Sequence, residues 1–167
     1  VHDLAFREYP GTIRKRTLMM LKSSLKRSIR RADAILVVSE FTKKELLKYY
    51  NVPEEKIHIV SCGIDTDKFY PIEDKKQIDK VKEKYGISEE YFLYLGTLEP
   101  RKNIEGILES YSILKDRMKE PIPKMVIAGG KGWMFDSIFA KVQEMDISDD
   151  VIFTGYVDEQ DKVELLN

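Results

Sequence analysis

The sequence predicts an α/β fold made of Rossmann-like, doubly wound parallel sheets. Short apolar runs rich in β-branched and aromatic residues alternate with longer segments whose apolar residues repeat every three to four positions. These two periods indicate strands and amphipathic helices. The apolar runs are nearly continuous, which is typical of parallel strands covered on both faces. Strands that alternate with helices through short loops favour a parallel sheet with right-handed crossovers.

Five apolar runs are predicted strands, and three apolar stripes predict helices. The strands cover residues 34–38, 56–60, 91–95, 125–128 and 151–153. The stripes consist of Ile13, Leu18, Leu21, Leu25 and Ile29; of Ile104, Ile107, Leu108, Tyr111, Ile113 and Leu114; and of Phe135, Ile138, Phe139, Val142 and Met145. Ser39 and Asn103 are suited to cap the helices that follow them. Gly86 is suited to end the helix before it.

Composition excludes several classes of protein. The 167 residues are 43% hydrophobic and 34% charged, with a net charge of −1. Neither a disordered chain nor a strongly basic nucleic-acid-binding protein fits these values. Because there is one cysteine, Cys62, and only two histidines, we expect no internal disulfide and no metal site. No apolar run is long enough to span a membrane. The chain starts without Met or a signal-peptide pattern, so we expect it to be the interior of a longer protein.

Charge is distributed unevenly along the chain. Residues 1–70 carry 14 basic and 9 acidic side chains, whereas residues 71–167 carry 14 basic and 20 acidic ones. The stretch 62–71, where the balance changes sign, is rich in turn-forming residues and has no periodicity. We therefore expect two structural units with a boundary in this stretch.

The segment 95–103 is the first candidate for chemistry. It leaves a predicted strand, turns at Gly96 and enters a predicted helix. In open α/β sheets, ligands bind beyond the carboxyl ends of the strands. The amides of a helix N-terminus attract anions, and Arg101 and Lys102 add two full charges there. This combination suits a diphosphate. The alternative is a solvated pair of cations before an ordinary capped helix.

The segment 128–133, Ala-Gly-Gly-Lys-Gly-Trp, also follows a strand and precedes a helix. Glycines let a backbone approach a ligand closely. The spacing matches neither G-x-G-x-x-G nor a P-loop, so a tight strand–helix turn is the alternative. We interpret Trp133 as a packing residue.

The two histidines have different expectations. If Val1 ends a strand, His2 lies at a carboxyl edge, where it can contact a sugar hydroxyl or polarise a reacting group. A purely structural histidine is the alternative. His58 alternates with Ile57 and Ile59 within a predicted strand, and we interpret it as structural.

Residues 14–31 form a basic amphipathic segment without an acidic residue. Its cations are Arg14, Lys15, Arg16, Lys22, Lys26, Arg27, Arg30 and Arg31. Basic helices of this kind can lie on an anionic membrane surface. The alternative is a solvated face opposite the core stripe.

The ordered set of these segments resembles the retaining glycosyltransferases of family 4, which have the GT-B fold. The stretches that carry the resemblance are 1–4 (VHDL), 34–42 (AILVVSEFT), 60–65 (VSCGID) with Phe69 and Pro71, 95–103 (LGTLEPRKN), 128–130 (AGG) and 151–155 (VIFTG). Together they cover nearly the whole chain. The chain looks most like the branch of mannosyl- and related transferases that build polysaccharides.

The resemblance implies a domain organisation. Residues 1–62 would be the C-terminal part of an N-terminal, acceptor-side Rossmann-like domain, and residues 63–75 an interdomain linker. Residues 76–167 would be the first half of the domain that binds the nucleotide sugar.

The resemblance also implies site residues. His2, Lys102 and Arg101 are the expected catalytic residues, Lys102 as the lysine that binds the donor diphosphate and His2 near the donor sugar. The expected donor-binding residues are Ser39, Gly96, Thr97, Glu99, Lys102, Gly129, Gly130, Tyr156 and Val157. No cofactor and no metal are expected.

The chain departs from the family pattern in three places. Thr97 stands where many members carry an arginine, and Arg101 is a candidate replacement for that charge. Cys62 stands where many members carry Asn. The family's pair of glutamates spaced eight apart and its acceptor-side glycine-rich loop have no counterpart here, so we expect these 167 residues alone to be inactive.

The expected function is transfer of a sugar, with retention, from a nucleotide-diphosphate sugar to a glycan or lipid-linked acceptor. GDP-mannose is the favoured donor and a UDP-sugar the second. The alternative is a non-catalytic nucleotide-binding module, or a membrane-surface module, of the same fold. The expected location is the cytoplasm, at the inner face of the membrane, and no nucleic-acid partner is expected.

Overall fold

A computed structural model describes residues 1–88, 90–133 and 135–167. The chain divides into two compact units, Val1–Ile64 and Asp65–Asn167. Each unit has its own parallel sheet and its own apolar core. Within the described ranges, no helix combines the length and the apolar character needed to cross a membrane.

The first unit contains a two-stranded parallel sheet, β1 (Ile35–Val37) and β2 (Ile57–Ile59), in which Ile35 pairs with Ile57 and Val37 with Ile59. Its helices are α1 (Ala5–Glu8), α2 (Lys15–Arg31) and α3 (Glu40–Tyr49). Short 3₁₀ turns cover Pro10–Thr12 and Glu54–Lys56. α3 connects the two strands as a crossover helix, as expected for parallel neighbours.

The core of the first unit lies between its sheet and its helices. Leu46 of α3 is fully buried, and Val37 of β1 is almost so. The apolar stripe of α2 packs on this core through Leu18, Leu21, Leu25 and Ile29. Ile13 precedes α2 rather than belonging to it, because the helix starts at Lys15.

The second unit contains a three-stranded parallel sheet in the order β3 (Tyr91–Leu95), β4 (Lys124–Ala128), β5 (Val151–Gly155). Its helices are α4 (Lys75–Lys84), α5 (Ile104–Arg117), α6 (Asp136–Glu144) and α7 (Lys162–Leu165). Further 3₁₀ turns cover Pro100–Lys102 and Glu159–Asp161. The predicted α/β class and all five predicted strands are confirmed.

The central strand β4 is covered on both faces, as its continuous apolar run predicts. Met125 and Ile127 pack on one side with Leu108 of α5, whereas Val126 and Ala128 pack on the other side with a second apolar cluster. Successive side chains of a strand point to opposite faces, so β4 supplies both cores.

The predicted coverage of both faces is incomplete in two other strands, each of which has an exposed apolar residue. Leu36 in β1 is 57% exposed and Phe92 in β3 is 40% exposed. Each lies in a strand that has one neighbouring strand in its sheet. Phe92 nevertheless contacts Tyr111 of α5, with the two ring centroids 6.3 Å apart. Ile113 is also exposed, because it follows the buried Tyr111 by two residues and so faces away from it on α5.

Two of the three predicted helix-end signals are confirmed. The Ser39 hydroxyl accepts a hydrogen bond from the backbone N–H of Thr42, and Gly86 has φ of +71° at the end of α4. Asn103 differs from the prediction. α5 does begin after it, but its side chain makes no capping hydrogen bond, because its backbone adopts the left-handed conformation with φ of 51°.

Candidate functional site

Three glycines lie where the strands of the second unit end. Gly96 follows β3, Gly129 follows β4, and Gly155 ends β5. The N–H of Gly96 donates to the carbonyl of Ala128 at 2.9 Å, and the N–H of Gly129 donates to the carbonyl of Gly155 at 2.8 Å. The three turns are therefore held together at the carboxyl edge of the sheet, where ligands bind in open α/β folds.

Gly129 is required by the contact between two of these turns. Its φ is +155°, and a Cβ at this position would lie 1.9 Å from the carbonyl oxygen of Gly96. No side chain can occupy that space without moving backbone. The alternative of a tight structural turn therefore accounts for Gly129, whether or not a ligand also lies against it.

Strand-like pairing continues beyond the ends of β3 and β4. The N–H of Leu98 donates to the carbonyl of Gly130, and the N–H of Gly132 donates back to the carbonyl of Leu98, both at 3.0 Å. Leu98 is only 2% exposed and anchors its loop in the core. Residues 96–102 and 129–132 thus form one continuous, hydrogen-bonded surface, called here the paired loops.

Glu99 and Arg101 form an ion pair within the first of the paired loops. The Glu99 carboxylate lies 2.7 Å from a terminal nitrogen of Arg101, and its side chain is 6% exposed. A carboxylate this deeply buried needs a charged partner. Arg101 therefore neutralises Glu99, and its charge is only partly available to a ligand.

Tyr94, in β3, donates a hydrogen bond to the same loop, residues 96–102. Its hydroxyl donates to the carbonyl of Thr97 at 3.2 Å, and it lies close to Gly96. Burial, reinforced by the negative charge of Glu99, raises the pKa of the Tyr94 phenol above its ordinary value. The phenol therefore stays protonated and keeps donating.

Lys102 occupies a different environment from Arg101. It ends the 3₁₀ turn before α5, and its side chain is exposed. Its ammonium forms no ion pair or hydrogen bond with the residues that the structure describes. No described side chain caps the start of α5, while the Asn103 amide lies against Gly106 in the first turn. The Lys102 ammonium, which has no partner among the described residues, therefore lies beside the positive end of the α5 dipole.

The remaining predicted donor-binding residues of the second unit have contrasting exposure. Tyr156 is 71% exposed and its ring lies next to Gly130, so it offers an aromatic face beside the paired loops. Val157 is 2% exposed and packs in the core, which leaves only its backbone for a ligand. Thr97 is exposed.

Lys131, in the second of the paired loops, directs its ammonium toward the rings of Phe135 and Phe139, at 5.1 and 5.4 Å from their centroids.

In the first unit, His2 and Ser39 are connected through Thr42. The Thr42 hydroxyl donates to the backbone carbonyl of His2 at 3.0 Å and lies 3.1 Å from the Ser39 hydroxyl. Val1 is not in a strand, but its nitrogen donates to the carbonyl of Leu36 in β1. This contact fixes His2, whose side chain is exposed, beside the end of β1.

Sequence reasoning missed Thr42 and Tyr94. Thr42 is buried at 4% exposure three residues after the capping serine, a spacing that signals contact with the cap. Tyr94 is one of two tyrosines in a strand, and no sequence signal distinguishes its role. His58 lies in β2, as predicted, where it pairs with Leu36, and both side chains are exposed.

The described residues contain no group of three or more His, Cys, Asp or Glu side chains that could hold a metal ion. The expectation of a metal-free reaction stays a prediction.

Curated relatives of the chain are bacterial glycosyltransferases. It is 30% identical over 163 residues to the O-antigen chain mannosyltransferase B of Escherichia coli. The matched region covers 96% of this chain and 42% of that protein. It is 27% identical to the serotype-specific mannosyltransferase WbdA of Escherichia coli over 82% of this chain and 17% of that protein. It is 28% identical to the O-antigen chain mannosyltransferase RfbU of Salmonella typhimurium over 92% of this chain and 38% of that protein. The chain thus spans less than half the length of each of these relatives.

Solved structures show the same fold. Anabaena HepE, determined in complex with UDP and glucose, superposes with a TM-score of 0.75 at 14% identity, covering 99% of this chain and 42% of that one. The sucrose-phosphate synthase of Thermosynechococcus elongatus gives a TM-score of 0.68 at 21% identity, covering 91% and 36%. At these identities the likeness supports the fold and nothing finer.

Two family models match in succession along the sequence. Residues 1–68 match the model of Glycosyltransferase Family 4, and residues 74–167 match the model of Glycosyl transferases group 1. The second match covers more than half of the chain, and the predicted resemblance is confirmed: the chain belongs to the Glycosyl transferases group 1 family, with a Family 4 segment at its start.

Proposed function

We propose that the protein transfers mannose from GDP-mannose to a glycan or lipid-linked acceptor, with retention of the anomeric configuration. The observation that carries the proposal is the uncommitted ammonium of Lys102 at the start of α5, on a loop that Glu99 and Arg101 hold in shape. The paired loops supply a rigid, glycine-rich surface beside it.

The chemistry that this arrangement favours is departure of a nucleoside diphosphate. Breaking the bond to the anomeric carbon leaves negative charge on the diphosphate. Fixed positive charge at that point stabilises the transition state more than the ground state. Lys102 and the first amides of α5 would supply it without a metal. Arg101 contributes mainly as a positioning residue, because its charge is shared with Glu99.

The other site residues take supporting roles in this proposal. The exposed ring of Tyr156 provides a face on which the nucleotide base can stack. The glycines of the paired loops bring backbone close to the donor, and Thr97 faces solvent at the same edge. His2, whose backbone Thr42 fixes, is proposed to contact the donor sugar.

Mannose is favoured over other sugars because of the relatives. Three of them carry mannosyltransferase in their names, and one of these is 30% identical over 96% of this chain. The structures with bound UDP are only 14% identical. A UDP-sugar is therefore the second choice of donor.

The test is calorimetric titration of the protein with GDP, UDP and ADP. We expect GDP to bind most tightly and Lys102→Ala to weaken its binding at least about tenfold, since a charged hydrogen bond is lost. Lys119→Ala is the matched control, because Lys119 is an exposed lysine in the loop after α5, at the opposite edge of the sheet. Equal effects of both variants would place the phosphate elsewhere, and preferred binding of UDP would replace the donor.

A second candidate role, contact with an anionic membrane surface through residues 14–31, is favoured by the outer face of α2. Met19 and Met20 are 71% and 60% exposed, and they lie among cations that have no carboxylate partner in the described ranges. Exposed apolar side chains flanked by cations suit the interface of an anionic bilayer. Since the cytoplasmic leaflet carries the anionic lipids, this role agrees with a cytoplasmic enzyme at the inner face of the membrane.

This role predicts that the protein cosediments with vesicles containing phosphatidylglycerol and that salt releases it. Screening at about 0.5 M salt shortens the Debye length to a few ångströms and should abolish binding. Met20→Ser should weaken binding, whereas Ser23→Ala, on the same face, should not. Binding to neutral phosphatidylcholine vesicles alone would contradict the role.

A further inference from the structure

A cavity of about 460 Å³ lies between the three helices of the first unit. Its lining residues are Arg7, Lys26, Ile29, Arg30, Tyr49, Tyr50 and Asn51. Three of these seven are cations, from α1 and α2, and none is a carboxylate. Such a concentration of one sign of charge in a concave, partly apolar space raises the local concentration of anions.

Arg7 is held in place by the tyrosines that line the cavity. Its Nε donates to the Tyr50 hydroxyl at 3.2 Å, and its guanidinium carbon lies 5.0 Å from the centroid of the Tyr50 ring and 5.7 Å from that of Tyr49. The terminal nitrogens of Arg7 make no hydrogen bond or ion pair with the described residues. The two terminal nitrogens of the Arg7 guanidinium are therefore held in a fixed plane and are available to donate to a ligand.

Lys26 and Arg30 approach the cavity from consecutive turns of α2. Residues four apart on a helix lie side by side, with their side chains on one face. Neither forms an ion pair within the described ranges. The end of α2 and the end of α3 are both helix C-termini, whose partial charge is negative. Attraction of an anion therefore depends on the three side-chain cations.

The Glu8 carboxylate, next to Arg7 in the sequence, is bound by Lys48 and Tyr49. Lys48 lies 2.5 Å from Glu8 and 3.4 Å from Glu45, and the Tyr49 hydroxyl also donates to Glu8. Hydrogen bonds from Lys48 and Tyr49 lower the pKa of the Glu8 carboxyl to about 2. Glu8 therefore stays ionised on Lys48 and Tyr49. Among the described residues, no carboxylate forms an ion pair with Arg7, Lys26 or Arg30.

We propose that this cavity binds the phosphate group of a phosphate ester. The Arg7 and Arg30 guanidinium groups would hold the phosphate oxygens in bidentate fashion and Lys26 would add a point charge. The wall of Ile29 and Tyr49 would face the organic part of the ester. The phosphate can belong to a soluble ester or to a lipid headgroup.

The cavity shares no residue with the proposed donor site. α2 ends at Arg31, just before β1 begins, and α3 ends at Tyr49, just before β2 begins. The cavity is therefore at the amino edge of the sheet of the first unit, whereas the proposed donor loops lie at the carboxyl edge of the sheet of the second unit. The inference does not depend on the proposed transferase activity.

The first experiment titrates the protein with glycerol 3-phosphate by calorimetry, with glycerol as the uncharged control. Arg30→Gln should weaken binding at least about tenfold, because one charged hydrogen-bonding partner is lost. Arg27→Gln removes the same charge from the same helix but outside the cavity, and it should leave binding unchanged. Lys26→Gln serves as a second cavity variant, and thermal unfolding checks that each variant stays folded.

The second experiment separates a lipid source from a soluble one. Vesicles of phosphatidylcholine with phosphatidylglycerol are sedimented with each variant, with and without glycerol 3-phosphate as competitor. Loss of vesicle binding in Arg30→Gln well beyond that in Arg27→Gln, together with competition, would identify a lipid headgroup. Tight binding of glycerol 3-phosphate with vesicle binding equal in both variants would identify a soluble ester. Absence of both interactions, or equal weakening of each by both variants, would overturn the proposal.

Discussion

The carbonyl oxygen of Gly96 lies 1.9 Å from the point where a side chain at Gly129 would begin. The two glycines belong to turns that follow neighbouring strands, and hydrogen bonds tie both turns to the strand beside them. The turns therefore touch through backbone alone. This contact sets the shape of the surface on which Lys102 is presented.

Gly129→Ala should be among the most destabilising single changes in the second unit. The added methyl group cannot fit unless backbone moves, and φ of +155° is itself unfavourable for alanine. We expect a loss of about 3 kcal/mol or more in the free energy of unfolding, measured with denaturant.

Gly130→Ala is the matched control for that measurement. A Cβ there meets nothing closer than Tyr156, at 4.0 Å, so we expect a change of at most about 0.5 kcal/mol. Similar losses for both variants would mean that the contact between the turns is not the cause.

The Glu99–Arg101 pair predicts a different consequence for each of the two adjacent cations. Arg101→Met leaves the Glu99 carboxylate, 6% exposed, without its ion-pair partner, and should destabilise the protein by about 3 kcal/mol. Lys102→Met should leave stability unchanged, because the Lys102 ammonium has no partner among the described residues.

Denaturant unfolding of both variants and of Glu99→Gln/Arg101→Met tests this difference. In the double variant the uncompensated buried charge is gone, so it should be more stable than Arg101→Met alone. A double variant that is no better than Arg101→Met would argue against the pair as the source of the cost.

Fold class and element order were predictable because they depend on local periodicity. The run at 125–128 is apolar at every position, and β4 indeed contributes to cores on both of its faces. The run at 34–38 looks the same in sequence, yet Leu36 is exposed. Coverage of a strand depends on what lies over the sheet, and that information is not carried by the strand itself.

The candidate site was predictable as a set of loops but not as a set of interactions. The succession of a predicted strand, a glycine and a predicted helix identified residues 95–103 and 128–133 as candidate ligand-binding loops. It could not predict that Glu99 neutralises Arg101 while Lys102 stays uncommitted, because adjacent residues in a turn point in directions that only the backbone conformation decides. For the same reason the left-handed backbone of Asn103 overrode its capping preference.

Ser39 and Thr42 predict a stability effect in the first unit. Ser39→Ala removes the hydroxyl that accepts the Thr42 N–H, which should cost about 1 kcal/mol in the free energy of unfolding. Thr42→Val keeps the size of the side chain but removes its hydrogen bond to the carbonyl of His2, which should cost a similar amount.

The two variants act through one hydrogen-bonded group, so their costs should not add. Denaturant unfolding of both single variants and the double variant measures the coupling. Strict additivity would show that the Ser39–Thr42 contact contributes nothing. Val38→Ala, beside the serine but outside the group, gauges the cost of an ordinary truncation there.

Acid should weaken the second unit through Asp161. The Lys84 ammonium lies 2.5 Å from the Asp161 carboxylate, and the Tyr85 hydroxyl donates to it at 2.7 Å. The hydrogen bond from Lys84 lowers the pKa of this carboxyl below its ordinary value, while burial opposes the shift. Because the folded protein holds the carboxyl in its ionised form, the stabilisation is fully present above the ordinary pKa of about 4 and is lost as the pH falls below it.

Asp161→Asn should therefore lower the thermal unfolding midpoint at pH 7, and the difference from the wild-type protein should shrink as the pH falls from about 4 toward 2. Asp158→Asn is the control, since Asp158 also lies near Lys84, at 2.7 Å, but on the exposed side of the pair. It should have a smaller effect, as expected for a solvent-screened ion pair. A difference between Asp161→Asn and the wild-type protein that persists at pH 2 would mean that the side-chain amide disturbs packing, and that the charge of Asp161 is not what stabilises the unit.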